Sequence, residues 1–191
     1  MNLALIFAGG TGTRMNSKTK PKQFLELNGK PIIIHTIELF ESHPEIDAIA
    51  VVCLESWIGY LNELLERFRI KKVKYVVPGG ETGQQSIRNG LTAFWDDQDI
   101  PRDSLVLIHD GVRPLINEDI ITRSIECAKQ YGNAITVTPA IETIITVSED
   151  DSVDQIMDRS KCRMARAPQT FRLCDIVEAH NKAITDGALN M

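Results

Sequence analysis

The sequence lacks a long apolar run: nothing in its 191 residues approaches the roughly 20 consecutive apolar positions of a membrane-spanning helix. Met1 to Gly10 is too short an apolar stretch, and lacks the basic start, for a signal peptide. The four cysteines, Cys53, Cys127, Cys162 and Cys174, form no C-x-x-C pair, so zinc-ligand spacing is absent and a disulfide framework is not expected at this length. Four reduced thiols in a cytoplasmic protein is the reading that follows. Positive charge is not in excess either. With 21 Lys and Arg against 26 Asp and Glu, the net charge is −5. That argues against a broad nucleic-acid or anionic-membrane surface while leaving room for a local anion site. Aromatics are only 6% of the chain, but 43% hydrophobic and 25% charged residues are ordinary for a globular domain. There is too much Ile, Leu and Val for disorder, and one domain is the default at this length.

Apolar runs and helical spacing alternate along most of the chain. Leu3 to Ala8 reads as a strand buried on both faces, and Asn28-Gly29 as a turn. Pro31 suits the first position of a helix running to about Ser42. Ile49 to Leu54 is a second strand, followed by a helix over about Ser56 to Arg69. Val73 to Val77 is a third strand and Ser86 to about Trp95 a helix, with Trp57, Phe94 and Trp95 at core or interface positions. Leu105 to Ile108 is a fourth strand, delivering His109 and Asp110 at its end. Asn117 is a good N-cap, with Gly132 just past the end of that helix. Alternation of this kind predicts an α/β protein with a doubly wound, mostly parallel sheet and a ligand crevice along the strand C-termini. After Pro139 the pattern changes. Thr143 to Val147 and Val153 to Met157 read as a β-hairpin arm, within about residues 139–165, that should pack on something else. A last helix covers about Leu173 to Ile184.

The main chemical signal is the glycine-rich turn after the first strand. Glycines there let backbone N–H groups approach a phosphate, although such a turn by itself is equally a structural one. Arg14, Lys18, Lys20 and Lys22 follow it with no acidic residue among them. In an acidic chain that is a concentrated positive patch suited to a polyphosphate. No Walker loop occurs, and Gly10-Thr11-Gly12 lacks the third glycine and the acidic residue of a dinucleotide fingerprint. Asp110, at a strand end, suits a Mg²⁺ ion that needs only one or two carboxylates, or else caps a turn. His109 reads as a packed strand histidine, not a base. His35, His43 and His180 have no partner at metal spacing, and Arg113 could touch phosphate or brace the Asp110 loop.

The strings Ala8-Gly9-Gly10-Thr11-Gly12-Thr13-Arg14-Met15 and Pro21-Lys22-Gln23-Phe24 resemble nucleotidyltransferases that activate sugar or polyol phosphates. Gly79-Gly80-Glu81, Ser86-Ile87-Arg88-Asn89-Gly90-Leu91, His109-Asp110-Gly111-Val112-Arg113-Pro114, Asp158-Arg159 and Ala167-Pro168-Gln169-Thr170-Phe171 follow in the order of the IspD/TarI family of CTP-dependent polyol-phosphate cytidylyltransferases. The resemblance spans essentially the whole chain as one cytidylyltransferase domain of the nucleotide-diphospho-sugar transferase type. It implies that Ala8, Gly9, Gly10, Thr11 and Gly12 wrap the CTP phosphates, with Gly80, Glu81 and Ser86 beside the cytosine. Arg14 and Lys22 would meet the charge developing at the α-phosphorus, and Asp110 with Gly111 would hold the Mg²⁺-bound nucleotide. Thr143 and Arg159 would grip the acceptor phosphate, reaching across a homodimer through the arm.

The resemblance also implies a later strand with an Asn-x-Lys motif, for which this sequence has no counterpart. The chain is therefore expected to be a piece of a longer protein, with a fusion partner conceivable beyond Met191, or to be a catalytically incomplete nucleotide-binding protein. Gly111 stands where relatives carry Ala or Ser, which predicts a looser Asp110 loop. The Gly9 to Met15, Gln23 to Leu27 and Pro31 to Glu38 strings look more like the branch acting on D-ribitol 5-phosphate, with 2-C-methyl-D-erythritol 4-phosphate the alternative acceptor. A different sugar-phosphate nucleotidyltransferase is a further rival.

Overall fold

The computed structural model describes residues 1–9 and 20–187 of the chain. Strand β1 (Asn2–Ala8) is the N-terminal apolar run; a 3-10 turn at Lys22–Phe24 leads into the short antiparallel pair β2 (Glu26–Leu27) and β3 (Lys30–Pro31). Asn28 and Gly29 join that pair with φ of 52° and 75°, the left-handed geometry of a tight hairpin. Then come α1 (Ile32–Glu41), β4 (Ala48–Cys53), α2 (Ile58–Arg67), β5 (Val73–Pro78), α3 (Gly83–Asp96) and β6 (Leu105–Asp110). The second half contains α4 (Glu118–Tyr131), β7 (Asn133–Pro139), the hairpin β8 (Ile145–Val147) and β9 (Val153–Ile156), the long strand β10 (Arg163–Arg172) and α5 (Leu173–Thr185).

The six-stranded sheet has the order β5-β4-β1-β6-β10-β7. β5, β4, β1 and β6 run parallel, whereas β10 is antiparallel to both β6 and β7. Side chains alternate between two cores. Ala4, Ile6, Ile49, Val51 and Leu107 face α1, α2 and α4, while Leu3, Leu5, Ala50, Val52 and Val106 face α3 and α5. Burial on both faces is why these strands read as continuous apolar runs. The sheet is therefore doubly wound, and β1, flanked by β4 and β6, marks the switch point where a crevice opens. Among the described residues no helix is long and apolar enough to cross a membrane.

Three details differ from the sequence expectation. Pro31 has an extended backbone and pairs with Glu26, so it caps α1 without entering it. α3 starts at Gly83, because the Thr82 hydroxyl accepts the Gln85 N–H at 3.1 Å and caps it three residues earlier than expected. β7 and β10 are strands where the sequence pattern predicts none. β10 contains Pro168, accommodated where the register with β7 shifts between Ala165 and Gln169, and both strands expose much of their length. β10 pairs with β6 only from Gln169 to Arg172. Arg163 to Ala165 pair with β7 alone, and this part of the ribbon lies outside the β6 pairing, on the way to the β8–β9 hairpin.

Candidate active site

The end of β1 lies against the segment that follows β5. Gly9 packs so closely there that a Cβ on it would stand 2.9 Å from Ser86 Oγ and 3.2 Å from the Gly79 Cα. Only glycine lets these two loops touch. Ser86 is almost fully buried in the first turn of α3, where its hydroxyl accepts the Gly80 N–H and donates to the Thr82 carbonyl, both at 3.0 Å. Its proton is thus used within the protein, and Ser86 shapes the floor of the site. The Glu81 N–H donates to Gln85 Oε1 at 2.8 Å, and the Glu81 side chain is exposed. Ala8, Gly9, Gly80 and Ser86 are therefore gathered at one edge of the sheet. Gly10, Thr11, Gly12, Arg14 and Lys18 lie outside the described residues.

The basic string re-enters at Lys20, whose ammonium donates to the Tyr60 hydroxyl at 3.1 Å and sits 4.9 Å from the centre of that ring. Phe24 stacks on Trp57 with ring centres 4.9 Å apart and meets Tyr60 edge-on, which fixes the 3-10 turn to α2. Gln23, to which the sequence pattern assigns no role, is fully buried and donates from Nε2 to the Ala8 carbonyl at 2.8 Å. Lys22 lies between these anchors, partly exposed, and forms no ion pair with any described residue.

Asp110 closes the other side of the crevice. It is the last residue of β6, in register with Phe7 of β1. Its Oδ1 accepts the Val112 N–H, and its Oδ2 accepts Arg113 Nε, both at 3.1 Å. Arg113 thus braces the loop, and its carbonyl accepts His109 Nε2–H at 3.0 Å. His109 is fully buried, with Nδ1 unpartnered among the described residues, and burial holds its pKa below the usual histidine value. It is the packed strand histidine expected from sequence. The looseness expected at Gly111 is corrected by the structure. Its N–H donates to the Phe7 carbonyl and its carbonyl accepts the Thr36 hydroxyl, both at 3.0 Å, and a Cβ there would come within 2.9 Å of the Ala8 Cβ. The loop is pinned because Gly111 lies flat on the end of β1.

Phe7, Asp110, Arg113, Gln84, Arg166 and Gln169 are among the residues lining a cavity of about 360 Å³ at this edge. Arg166 and Gln169 come from β10, so the strand missed in sequence supplies one wall. Thr143 and Arg159 are not among its lining residues. Thr143 is exposed on the arm, and Arg159 lines a separate hollow at the arm's root, donating to the Ile141 carbonyl at 2.8 Å. The remaining histidines have structural neighbours: His35 bonds the Leu27 carbonyl, His43 the Thr122 hydroxyl, and His180 lies in the groove between α3 and α5.

Among the described residues no group of three or more His, Cys, Asp and Glu side chains converges. A half-buried carboxylate, each of whose oxygens accepts one hydrogen bond from the described residues, fits Mg²⁺, an ion that draws most of its oxygen ligands from phosphates and water. The Gly9 backbone, a Lys22 ammonium without an ion pair among the described residues and a carboxylate at Asp110 are the groups here that could bind a metal-bound polyphosphate and offset charge at phosphorus.

The chain resembles known proteins along nearly its whole length. Residues 2–190 match the family described as IspD, 2-C-methyl-D-erythritol 4-phosphate cytidylyltransferase. The chain is 57% identical over 186 residues to a ribitol-5-phosphate cytidylyltransferase of Vibrio parahaemolyticus, covering 97% of this chain and 77% of that relative. It is 40% identical over 190 residues to a 2-C-methyl-D-erythritol 4-phosphate cytidylyltransferase of Clostridium acetobutylicum, covering 99% and 80%. The crystal structure of the Francisella tularensis enzyme IspD superposes with a TM-score of 0.77 at 27% identity, over 98% of this chain and 80% of that one.

Proposed function

Because the chain belongs to the IspD family of cytidylyltransferases, we propose that it transfers CMP from CTP to a polyol phosphate, D-ribitol 5-phosphate, giving CDP-ribitol and pyrophosphate. The observation that carries this reading is the meeting, at one sheet edge, of the Gly9–Ser86 contact, the Lys22 turn and Asp110. The ribitol acceptor is favoured because relatives of that name are 57% and 51% identical to this chain, against 40% for a methylerythritol relative.

An acceptor phosphate is already an anionic nucleophile, so no general base is needed and His109 can stay buried and neutral. The obstacle is bringing one anion to another. Lys22, with Arg14, offsets the charge that builds at the α-phosphorus as the bond to the pyrophosphate oxygen breaks. Glycine N–H groups hold the triphosphate in line with the incoming oxygen. Mg²⁺, held by Asp110, would neutralise phosphate oxygens when bound. Arg113, 3.1 Å from Asp110, keeps that carboxylate aimed at the cavity.

Thr143 and Arg159 serve the acceptor phosphate of a second copy. Two features support a homodimer built through the arm: both residues sit away from their own chain's Asp110 cavity, and Ile141, Ile145, Val147, Val153 and Ile156 are exposed together on the arm. Apolar clusters of that kind mark interaction surfaces. A cytoplasmic setting suits the four free thiols and the soluble phosphorylated substrates.

Incubation with CTP labelled at the α-phosphate, D-ribitol 5-phosphate and Mg²⁺ tests the reading. The expected result is label in CDP-ribitol with equimolar pyrophosphate, lost on chelation of the metal. CTP binding without any transfer of label contradicts it and favours a nucleotide-binding protein.

A further inference from the structure

Gln23 directly follows Lys22, the last cation of the basic string, yet no role above uses its side chain. It is fully buried between the partly exposed Lys22 and the aromatic anchor Phe24. Its Nε2 reaches back fifteen residues to donate to the Ala8 carbonyl at 2.8 Å, the last carbonyl of β1. Its Oε1 has no partner among the described residues. A buried amide that makes one hydrogen bond and leaves an acceptor orphaned gains the fold little, since the cost of the orphan offsets the bond. What the bond secures is geometry. On one side of it lies Lys22, next in the chain to Gln23; on the other lies Gly9, next to Ala8 and in contact with Ser86. The Phe24–Trp57 stack fixes the turn to the residue that caps α2, and among the described residues only the Gln23 amide fixes it to β1 by a side-chain hydrogen bond.

We propose that Gln23 is a positioning residue for nucleotidyl transfer: its carboxamide sets the distance between the Lys22 ammonium and Gly9 at the end of β1, so that both meet the same triphosphate. The inference rests on the reading of Lys22 as the triphosphate's cation. A displacement of about 1 Å in such a group costs on the order of 10²-fold in rate.

The test is a double-mutant cycle on the full chain, with kcat for pyrophosphate release, CTP affinity by calorimetry and the thermal midpoint measured for Gln23→Met, Lys22→Ala and the double variant. Methionine keeps the length of the side chain while removing both its donor and its orphaned acceptor. The expected result is a fall of about 10²-fold in kcat for Gln23→Met, a thermal midpoint near that of the parent, a full count of CTP sites, and a double variant no slower than Lys22→Ala alone. Parental kcat in Gln23→Met overturns the proposal. So do losses that multiply in the double variant, or a loss matched by fewer CTP sites and a lowered midpoint, which is what a merely structural residue would give. Should Gln23→Met not fold, Gln23→Asn, whose amide stops one carbon short of Ala8, takes its place with the same expectations. Parental activity in Lys22→Ala, or a parent that neither binds CTP nor turns over, sinks the underlying reading of the site instead.

Discussion

At the scale of single residues, the site depends on what has no partner and on what has no room. Lys22 forms no ion pair with any described residue, so its charge is free for a ligand and contributes little to the fold. Lys22→Ala should therefore lower kcat by about 10²-fold, as loss of one group aimed at developing charge does, with the thermal midpoint nearly unchanged. Calorimetric melting beside a pyrophosphate assay checks both halves, and a midpoint that drops with activity would contradict the assignment. Gly9 is the opposite case. A methyl group there must displace the Ser86 hydroxyl, 2.9 Å away, or the Gly79 backbone, 3.2 Å away. Gly9→Ala should destabilise the fold by about 1–3 kcal/mol and weaken CTP binding, because the bonds from Ser86 to Gly80 and Thr82 are disturbed with it. Equilibrium unfolding and CTP titration read these separately, and an unchanged CTP affinity would remove the Gly9–Ser86 contact from the binding site.

At the scale of elements, the parallel half of the sheet was legible and the antiparallel half was not. Leu3 to Ala8 and Leu105 to Ile108 are buried on both sides, so their apolar runs stand out against the helices between them. The placement of Asp110 and Gly9 at strand ends was legible for the same reason, since each lies at the end of such a run. β7 and β10 carry polar and charged side chains along half-exposed edges, and Pro168 interrupts β10, so neither shows a strand pattern. Arg166 and Gln169 were consequently missed as walls of the cavity. Gln23 was missed for a different reason: its partner is a backbone carbonyl fifteen residues away, and sequence alone gives no sign of it. The arm carries its own prediction. If Arg159 serves the site of a second copy, Lys22→Ala and Arg159→Ala chains, each inactive alone, should regain roughly a quarter of parental activity when unfolded and refolded together. Half of the randomly formed dimers are then mixed, and each mixed dimer holds one intact site. No recovery, with mixed dimers demonstrated by a tag, would place Arg159 in its own chain's site or in none.

At the scale of the whole molecule, two buried histidines tie stability to pH. Burial lowers the pKa of His109 and of His180, the latter helped by the nearby Arg88 charge. The unfolded chain therefore takes up these protons first. Their contribution is fully present above the ordinary histidine value of about 6.5 and is lost as pH falls below it. Asp97 and Asp158 are held below the ordinary carboxylate value by hydrogen bonds from Tyr75 and Ser160, and Asp150 is held at about 2 by Ser148 and Ser152. Their contribution is retained until pH falls below about 3.8. The thermal midpoint should thus begin to fall between pH 7 and pH 5.5, well before the carboxylates titrate. Melting curves across that range check it, and a flat profile down to pH 4.5 would mean that both imidazoles are as easily protonated in the fold as outside it.

Cytidylyl transfer and the choice of acceptor are both reached by one measurement. With CTP and Mg²⁺ present, D-ribitol 5-phosphate and 2-C-methyl-D-erythritol 4-phosphate are offered together, and the two CDP-polyols are quantified by mass spectrometry from the initial rates. CDP-ribitol as the dominant product is the expected outcome, in line with the 57% identity to the Vibrio parahaemolyticus enzyme. A dominant CDP-methylerythritol signal, or CTP bound with neither product formed, would contradict it.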